Sequence, residues 1–214
     1  MIDLYKHKGM RKKLIEELRT KGIEDEKVLK AFYDVPRHLF LDSSFTNQAY
    51  SNIAFQIGSG QTISHPYTVA LQTSLLNISK RDKILEIGTG SGFQTSILFV
   101  MGAKVYSIER QKELYIKAKE LIAKLGHTPQ LFYGDGYKGK VSYAPYDGIL
   151  VTCGAPFVPD ALKDQLKIGG RLVIPIGEGE KQIMHRLTKL SDTEWETETF
   201  GEFSFVPMLE KTNK

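Results

Sequence analysis

Cysteine is almost missing: Cys153 is the single one in 214 residues, which excludes a disulfide within the chain and makes a reducing cytoplasm the default compartment. No apolar run is long enough to span a membrane, and the opening MIDLYKHKGMRKK lacks the apolar core of a signal peptide, so neither a membrane association nor export is expected. Internal repeats and low-complexity tracts are absent. So is the phosphate loop GxxxxGK[ST], which argues against an NTPase. His7, His38, His127 and His185 show no ligand spacing to acids or to the cysteine, so no metal is expected. Strong net charge is lacking too. The formal +4 arises partly from Lys6, Lys8, Arg11, Lys12, Lys13, Arg19 and Lys21, which read as a solvated helix face; the alternative is a nucleic-acid patch.

What is present is a chain with 41% hydrophobic residues, enough for one well-cored domain and too short for two. MRKKLIEELRTK (10–21) puts Leu14, Ile15 and Leu18 on one helical face, with Gly22 as a stop. A second helix is predicted over 26–34, ending before Pro36, because the residue preceding a proline disfavours helical geometry. Residues 42–64 show no period and read as loop. Pro66 opens a third helix. From Lys83 onward KILEIG, KVYSIER, PQLFYGDG, YDGILVTCG and GRLVIPIG read as strands. The helical stretches FQTSILFVM, KELYIKAKELIAKLG and VPDALKDQLKIG fall between them. That alternation predicts a doubly wound, mostly parallel α/β sheet, and the partly alternating tail (QIMHRLTKL and EWETETFGEFSF) predicts an antiparallel pair at its edge.

In such sheets ligands sit beyond the carboxyl ends of the strands where strand order reverses. The first strand ends in EIGTGSG, so Gly88, Thr89, Gly90, Ser91 and Gly92 form the crevice. The spacing is G-x-G-x-G, not the G-x-G-x-x-G of dinucleotide sites. Glu109 and Arg110 close the second strand, about 20 residues on, where an acid binds ribose hydroxyls. Glu86 before the glycines, and Asp135 with Gly136 after the third strand, add acidic strand ends. These acids suit S-adenosylmethionine, which has no phosphate and carries an ammonium and a sulfonium. Glu86 would lend negative potential near its amino-acid end, directly or through water, and the Asp135–Gly136 turn would border the adenine. The alternative is that Glu86 and Asp135 only cap adjoining turns. Ser64 admits a similar alternative as an N-cap for the helix at Pro66. His65 reads as exposed or turn-packed, and Cys153 as a core residue at a strand end near the crevice.

The segments VPRHLF (35–40), GQTIS-x-P (60–66), ILEIGTGSGFQT (84–95), YSIER (106–110), GDGYKG, YDGILVT, GGRLVIPIG and the terminal FVPML resemble, in order and over nearly the whole chain, the protein-L-isoaspartate (D-aspartate) O-methyltransferases. GQTIS-x-P is the most specific of them. The resemblance implies a Rossmann-like methyltransferase fold over 1–214. It would comprise N-terminal helices and acceptor loop (1–80), a cofactor-binding core (81–180) and antiparallel C-terminal strands (181–214). It implies methyl transfer from S-adenosylmethionine, leaving S-adenosylhomocysteine, to the α-carboxylate of isoaspartyl residues in damaged peptides and proteins. By the same resemblance Ser64 is the active-site serine, with Gly60, Gln61 and Thr62 lining the cleft, partly against cofactor. Val206, Pro207 and Met208 border the substrate peptide. A monomer suffices for such cleft chemistry. TCGAP (152–156) replaces the usual TAAAP, and Met208-Leu209 departs from the usual leucine-led ending. The alternatives are a methyltransferase of a small molecule or RNA, or a non-catalytic homologue that binds cofactor or peptide.

Overall fold

The computed structural model describes residues 3–213. Its first helix, α1 (Tyr5–Thr20), begins earlier than the apolar stripe predicts. Polar contacts extend it: the Leu4 amide donates to His7 Nδ1 (3.2 Å), and Arg11 donates to both carboxylate oxygens of Asp3 (3.0 and 2.7 Å). Most of the basic face of α1 is exposed as expected, but Arg11 is buried, with 3% of its surface accessible. The second helix, α2 (Glu26–Asp34), has the predicted bounds. The Asp25 side chain accepts from the amides of Lys27 and Val28 and satisfies its first turn, while Val28, Leu29 and Phe32 face inward.

The stretch expected to be irregular contains a short antiparallel hairpin, β1 (Phe55–Gly58) and β2 (Gln61–Ile63), preceded by a 3-10 turn at Ser43–Gln48. α3 (Pro66–Leu76) follows, with His65 in the N-cap position and no side-chain cap. Ser64 therefore lies one residue outside the cap and is not spent on it.

The main sheet is built from β3 (Lys83–Ile87), β4 (Lys104–Glu109), β5 (Gln130–Tyr133), β6 (Tyr146–Val151), β7 (Leu166–Ile176), β8 (Gln182–Lys189) and β9 (Trp195–Phe203). Between them run α4 (Phe93–Val100), α5 (Lys112–Lys124) and α6 (Asp160–Asp164). Strand order is β5-β4-β3-β6-β7-β8-β9. The pairs from β5 to β7 are parallel, and β7–β8 and β8–β9 are antiparallel, as the tail predicted. Order reverses between β3 and β6, which puts the crevice beyond their carboxyl ends.

One helix is shorter than predicted. α6 stops at Asp164, because Gln165 turns inward: its amide nitrogen donates to the carbonyls of Lys138 and Ala161, and its oxygen accepts from the Lys140 amide. The strand β7 starts immediately afterwards. On one face of the sheet, Leu14, Leu18, Val28, Leu29, Phe32 and Phe40 form a continuous apolar cluster with Phe93 and Ile97 of α4. Each such side chain contributes roughly 1.5–3 kcal/mol by leaving water. The N-terminal helices thereby fix α4, the helix that follows the glycine turn.

Candidate active site

The cleft at the switch point spans about 850 Å³, much of it open to solvent. Its floor is the turn after β3. Thr152, just beyond β6, donates its hydroxyl to the carbonyls of Ile87 and Gly88 (2.9 and 2.7 Å), pulling the two strand ends together. A Cβ on Gly88, which has φ +97°, would lie 2.5 Å from that hydroxyl. Glycine is required at this point on both grounds. Thr89, Gly90 and Ser91 continue the wall.

Glu109 stands where β4 ends, with 4% of its surface exposed. Its two oxygens accept from the amides of Gly90 and Gln111, each at 2.8 Å. Burial raises its pKa, and the backbone amides of Gln111, Gly90 and Arg110 pull in the opposite direction. A carboxylate offers about four acceptor sites, so this fixed group retains capacity for ligand hydroxyls. Arg110 also lines the cleft, but its guanidinium donates to the carbonyls of Lys211 (2.9 Å) and Glu210 (3.4 Å). Gly136 forms part of the opposite wall, where a Cβ would meet Ile87 Cγ2 at 2.4 Å.

The acceptor side is formed by Gln61, Thr62 and Ile63 of β2 together with Ser64. The chain's terminal segment faces it. Gly154 donates to Val206 (2.9 Å) and accepts from Met208 (2.7 Å), so Val206, Pro207 and Met208 run as an extended rim. The side chain of Gln182 accepts from the Phe205 amide and steadies that rim. The Met208 side chain is buried, its amide donates to the Gly154 carbonyl and its carbonyl accepts from the Tyr137 hydroxyl.

Four of the residues singled out from the sequence lie outside the lining. Glu86 is fully buried behind the glycine turn. Burial, first of all, pushes its carboxyl up to about 8, against hydroxyl bonds from Ser107 and Thr95 and reinforced by the charge of Glu109. That upward shift weakens the negative potential expected at this position. The Thr95 hydroxyl donates to one of its oxygens, the other is buried without a hydrogen-bond partner among the described residues, and the neighbouring Ser107 hydroxyl is 2.6 Å from that of Thr89 in the cleft wall. Asp135 accepts from the amides of Tyr137 (3.0 Å) and Lys211 (3.1 Å), the turn-capping alternative, and leaves the wall to Gly136. Gly60 sits in the hairpin turn, and Gly92 packs against Ile122 at the start of α4.

Several lining residues escaped the sequence reading: Val69, Gln72, Phe93, Gln94 and Thr152. Gln72 and Gln94 carry a usable signal, since a glutamine within an apolar helix needs a partner. Gln72 donates to the Val151 carbonyl (2.9 Å) and Gln94 to Thr73 (3.0 Å). Cys153 is half-buried, packed against the apolar cluster of the sheet and also lining the cleft, and burial raises its thiol to about 12, which keeps it a thiol and no nucleophile. His65 is exposed as a residue, and partial desolvation of its ring, followed by the Arg37 charge, lowers its pKa. The fold also assembles what spacing did not show. Asp3, His7 and His38 offer ligand atoms within 4.8 Å of one another, although both oxygens of Asp3 already accept from Arg11.

The lining contains no lysine among the described residues, and its arginine is occupied by carbonyls. A glycine turn that allows close approach and an acid at the ribose position, without phosphate-binding cations, fit a cationic nucleoside such as S-adenosylmethionine. Fold and cleft together define a Rossmann-like methyltransferase that uses this cofactor. Within that class the chain belongs to the protein-L-isoaspartate(D-aspartate) O-methyltransferase family, whose model matches residues 9–213. It is 56% identical over 214 residues to the protein-L-isoaspartate O-methyltransferase of Christiangramia forsetii, covering all of both chains. The namesake from Flavobacterium psychrophilum is 55% identical over the same full length. A solved protein-L-isoaspartate O-methyltransferase superposes with a TM-score of 0.83 at 31% identity, covering 92% of this chain and 65% of that one. A Plasmodium falciparum beta-aspartate methyltransferase in complex with S-adenosyl-L-homocysteine gives 0.82 at 25% identity, covering 93% of this chain and 98% of that one.

Proposed function

We propose that this chain methylates the free α-carboxylate of L-isoaspartyl residues in damaged peptides and proteins. The observation that carries the proposal is that the acceptor loop Gln61–Ser64, the glycine turn Gly88–Ser91 and the rim Val206–Met208 line one cleft. S-adenosylmethionine, when bound, supplies the methyl group as an electrophile on a sulfonium. Glu109 would hold the ribose hydroxyls, the amides of the glycine turn would border the amino-acid end, and Gly136 would border the base.

The acceptor needs no general base. An α-carboxylate has a pKa near about 4 and is ionised at neutral pH. The protein must instead align it with the methyl group and strip part of its water. Ser64 is suited to align it: half-buried, facing the cleft and not engaged in capping α3. Gln61 and Thr62 line the same side. The extended rim would bond to a peptide backbone without reading its side chains, which suits an enzyme that meets many damaged sequences. The methyl ester then reacts without the enzyme. The following amide nitrogen attacks the ester carbonyl and expels methanol, and water opens the resulting succinimide partly to the normal aspartyl link. The whole chain works as one domain in this reading. A monomer is its proposed state, and the cytoplasm is its proposed compartment. No helix among the described residues is long and apolar enough to cross a membrane.

The test uses two peptides identical except for an isoaspartyl or aspartyl link, with methyl-labelled S-adenosylmethionine, scoring base-labile label as methanol. Label is expected on the isoaspartyl peptide alone, with Ser64→Ala slower on the order of 10–100-fold through lost alignment. Cofactor binding without label on either peptide would refute this function and turn attention to small-molecule or RNA acceptors.

A further inference from the structure

Arg37, from the VPRHLF segment, is among the largest fully buried side chains, with 1% of its surface accessible. A buried guanidinium is ordinarily paired with a carboxylate. This one is not. Its Nε donates to the Ala49 carbonyl (3.0 Å), and its Nη2 donates to the carbonyls of Ile53 (3.3 Å) and Ser64 (2.8 Å). Nη1 is buried without a hydrogen-bond partner among the described residues. The guanidinium carbon lies 5.0 Å from the centre of the Phe93 ring. Burial lowers its pKa to about 9, which still leaves it charged at neutral pH, and the group whose charge opposes that shift is Tyr50, not an acid.

The position of this uncompensated charge is the informative part. Ser64 and Phe93 both line the cleft, and Arg37 is in direct contact with each from behind. Its bond to the Ser64 carbonyl puts the charge directly against a residue of the acceptor side. The cleft's own cation, Arg110, belongs to the far end of β4, on the side of Glu109. Charges act over several ångströms where water is excluded. We propose that Arg37, one layer behind the acceptor wall, is the specificity-determining cation that draws an anionic carboxylate to Ser64. This rests on the isoaspartyl reading above.

Placement behind the wall also answers a chemical difficulty. A cation bonded directly to the acceptor would hold its lone pairs and slow their attack on the methyl group. A cation one layer back attracts the anion without occupying those lone pairs. Transfer neutralises the carboxylate, so the attraction vanishes in the ester and product leaves more readily than substrate.

The experiment measures binding by titration calorimetry to enzyme saturated with S-adenosylhomocysteine, where no turnover occurs. The probes are an isoaspartyl peptide and the same peptide with its α-carboxylate replaced by the neutral, nearly isosteric carboxamide. Wild type is expected to prefer the carboxylate by about tenfold, or ~1.4 kcal/mol. The preference should persist in about 0.5 M salt, because a buried charge is little screened. In Arg37→Gln it should shrink to below about threefold while the carboxamide still binds; Arg37→Lys should retain most of it. A scaffolding role alone would weaken both peptides in proportion, and that result overturns the proposal. So does a wild-type preference that disappears in salt, a measurement that stands even where the variants do not fold. Transfer of the effect to Arg110→Gln would overturn it as well. If wild type binds neither peptide, the isoaspartyl reading falls along with the proposal. If it binds both equally, only the proposal falls.

Discussion

Glu86 and Glu109 lie near the ends of neighbouring strands, Glu86 opposite Ser107 and Glu109 two residues further on, yet their surroundings give them different work. Glu109 has backbone amides on both oxygens and faces the cleft; Glu86 has hydroxyls and is sealed. For Glu86 the native pKa of about 8 lies above the ordinary 4.5. Between those values the folded state holds a proton that the unfolded state has released, so stability falls as pH rises through that window and levels off above it. Glu86→Gln keeps an acceptor for Thr95 and cannot ionise. It should therefore flatten the curve, gaining on wild type by roughly 1–3 kcal/mol, or several degrees in melting temperature, between pH 5 and 8.5. Parallel melting curves for the two proteins would show that Glu86 does not hold its proton. The sequence displays both acids equally. Glu109 is legible as a ligand because its distance from the glycines fixes it at a strand end. The proton on Glu86 is not, because it depends on Thr95 and Ser107, which reach it only after folding.

Among elements, the terminal rim depends most on partners distant in sequence. It is held by the bonds of Gly154 to Val206 and Met208 and by Gln182, whose side chain also donates to the Gly179 carbonyl. Gln182→Ala removes the side-chain acceptor for Phe205 but leaves the glycine turn untouched. The KM for an isoaspartyl peptide should rise about threefold to tenfold, in line with ~1 kcal/mol for one lost hydrogen bond, while cofactor affinity measured by calorimetry stays constant. An equal loss of both would mean that the rim also braces the cofactor side. Element boundaries were legible where local chemistry sets them. α2 is framed by the Asp25 cap and Pro36, and α3 by Pro66 at its first turn. They were illegible where distant contacts decide. The start of α1 depends on the Asp3–Arg11 pair, and α6 gives way to β7 because Gln165 bonds Lys138 and Lys140. The β1–β2 hairpin is too short, and too rich in turn residues, to show a period.

At the scale of the whole molecule, three apolar clusters run from the N-terminal helices through α4 to both faces of the sheet. Phe93 joins the first of these to the cleft, meeting Phe32 and Phe40 edge-on at 5.6 and 5.5 Å. A chain so connected should unfold as one unit. Trp195, the single tryptophan, lies in β9 at the sheet edge remote from α1. Its fluorescence and the far-ultraviolet dichroism of the helices should give coincident denaturation midpoints. Separated midpoints would divide the molecule into independently melting parts. Alternation of strands and helices made the layered sheet legible beforehand. The joining of the N-terminal helices to α4 was not, because apolar stripes indicate that a face is buried and not which face covers it.

The rim also places the cleft in time. More than a hundred residues separate Gly92 from Val206, and a ribosome adding about 5–20 residues per second needs many seconds to join them. The glycine turn is therefore synthesised well before the second wall of the acceptor side. In a chain that folds as one unit both sides of the cleft are completed together, so its activity begins only when nearly all of it has been made.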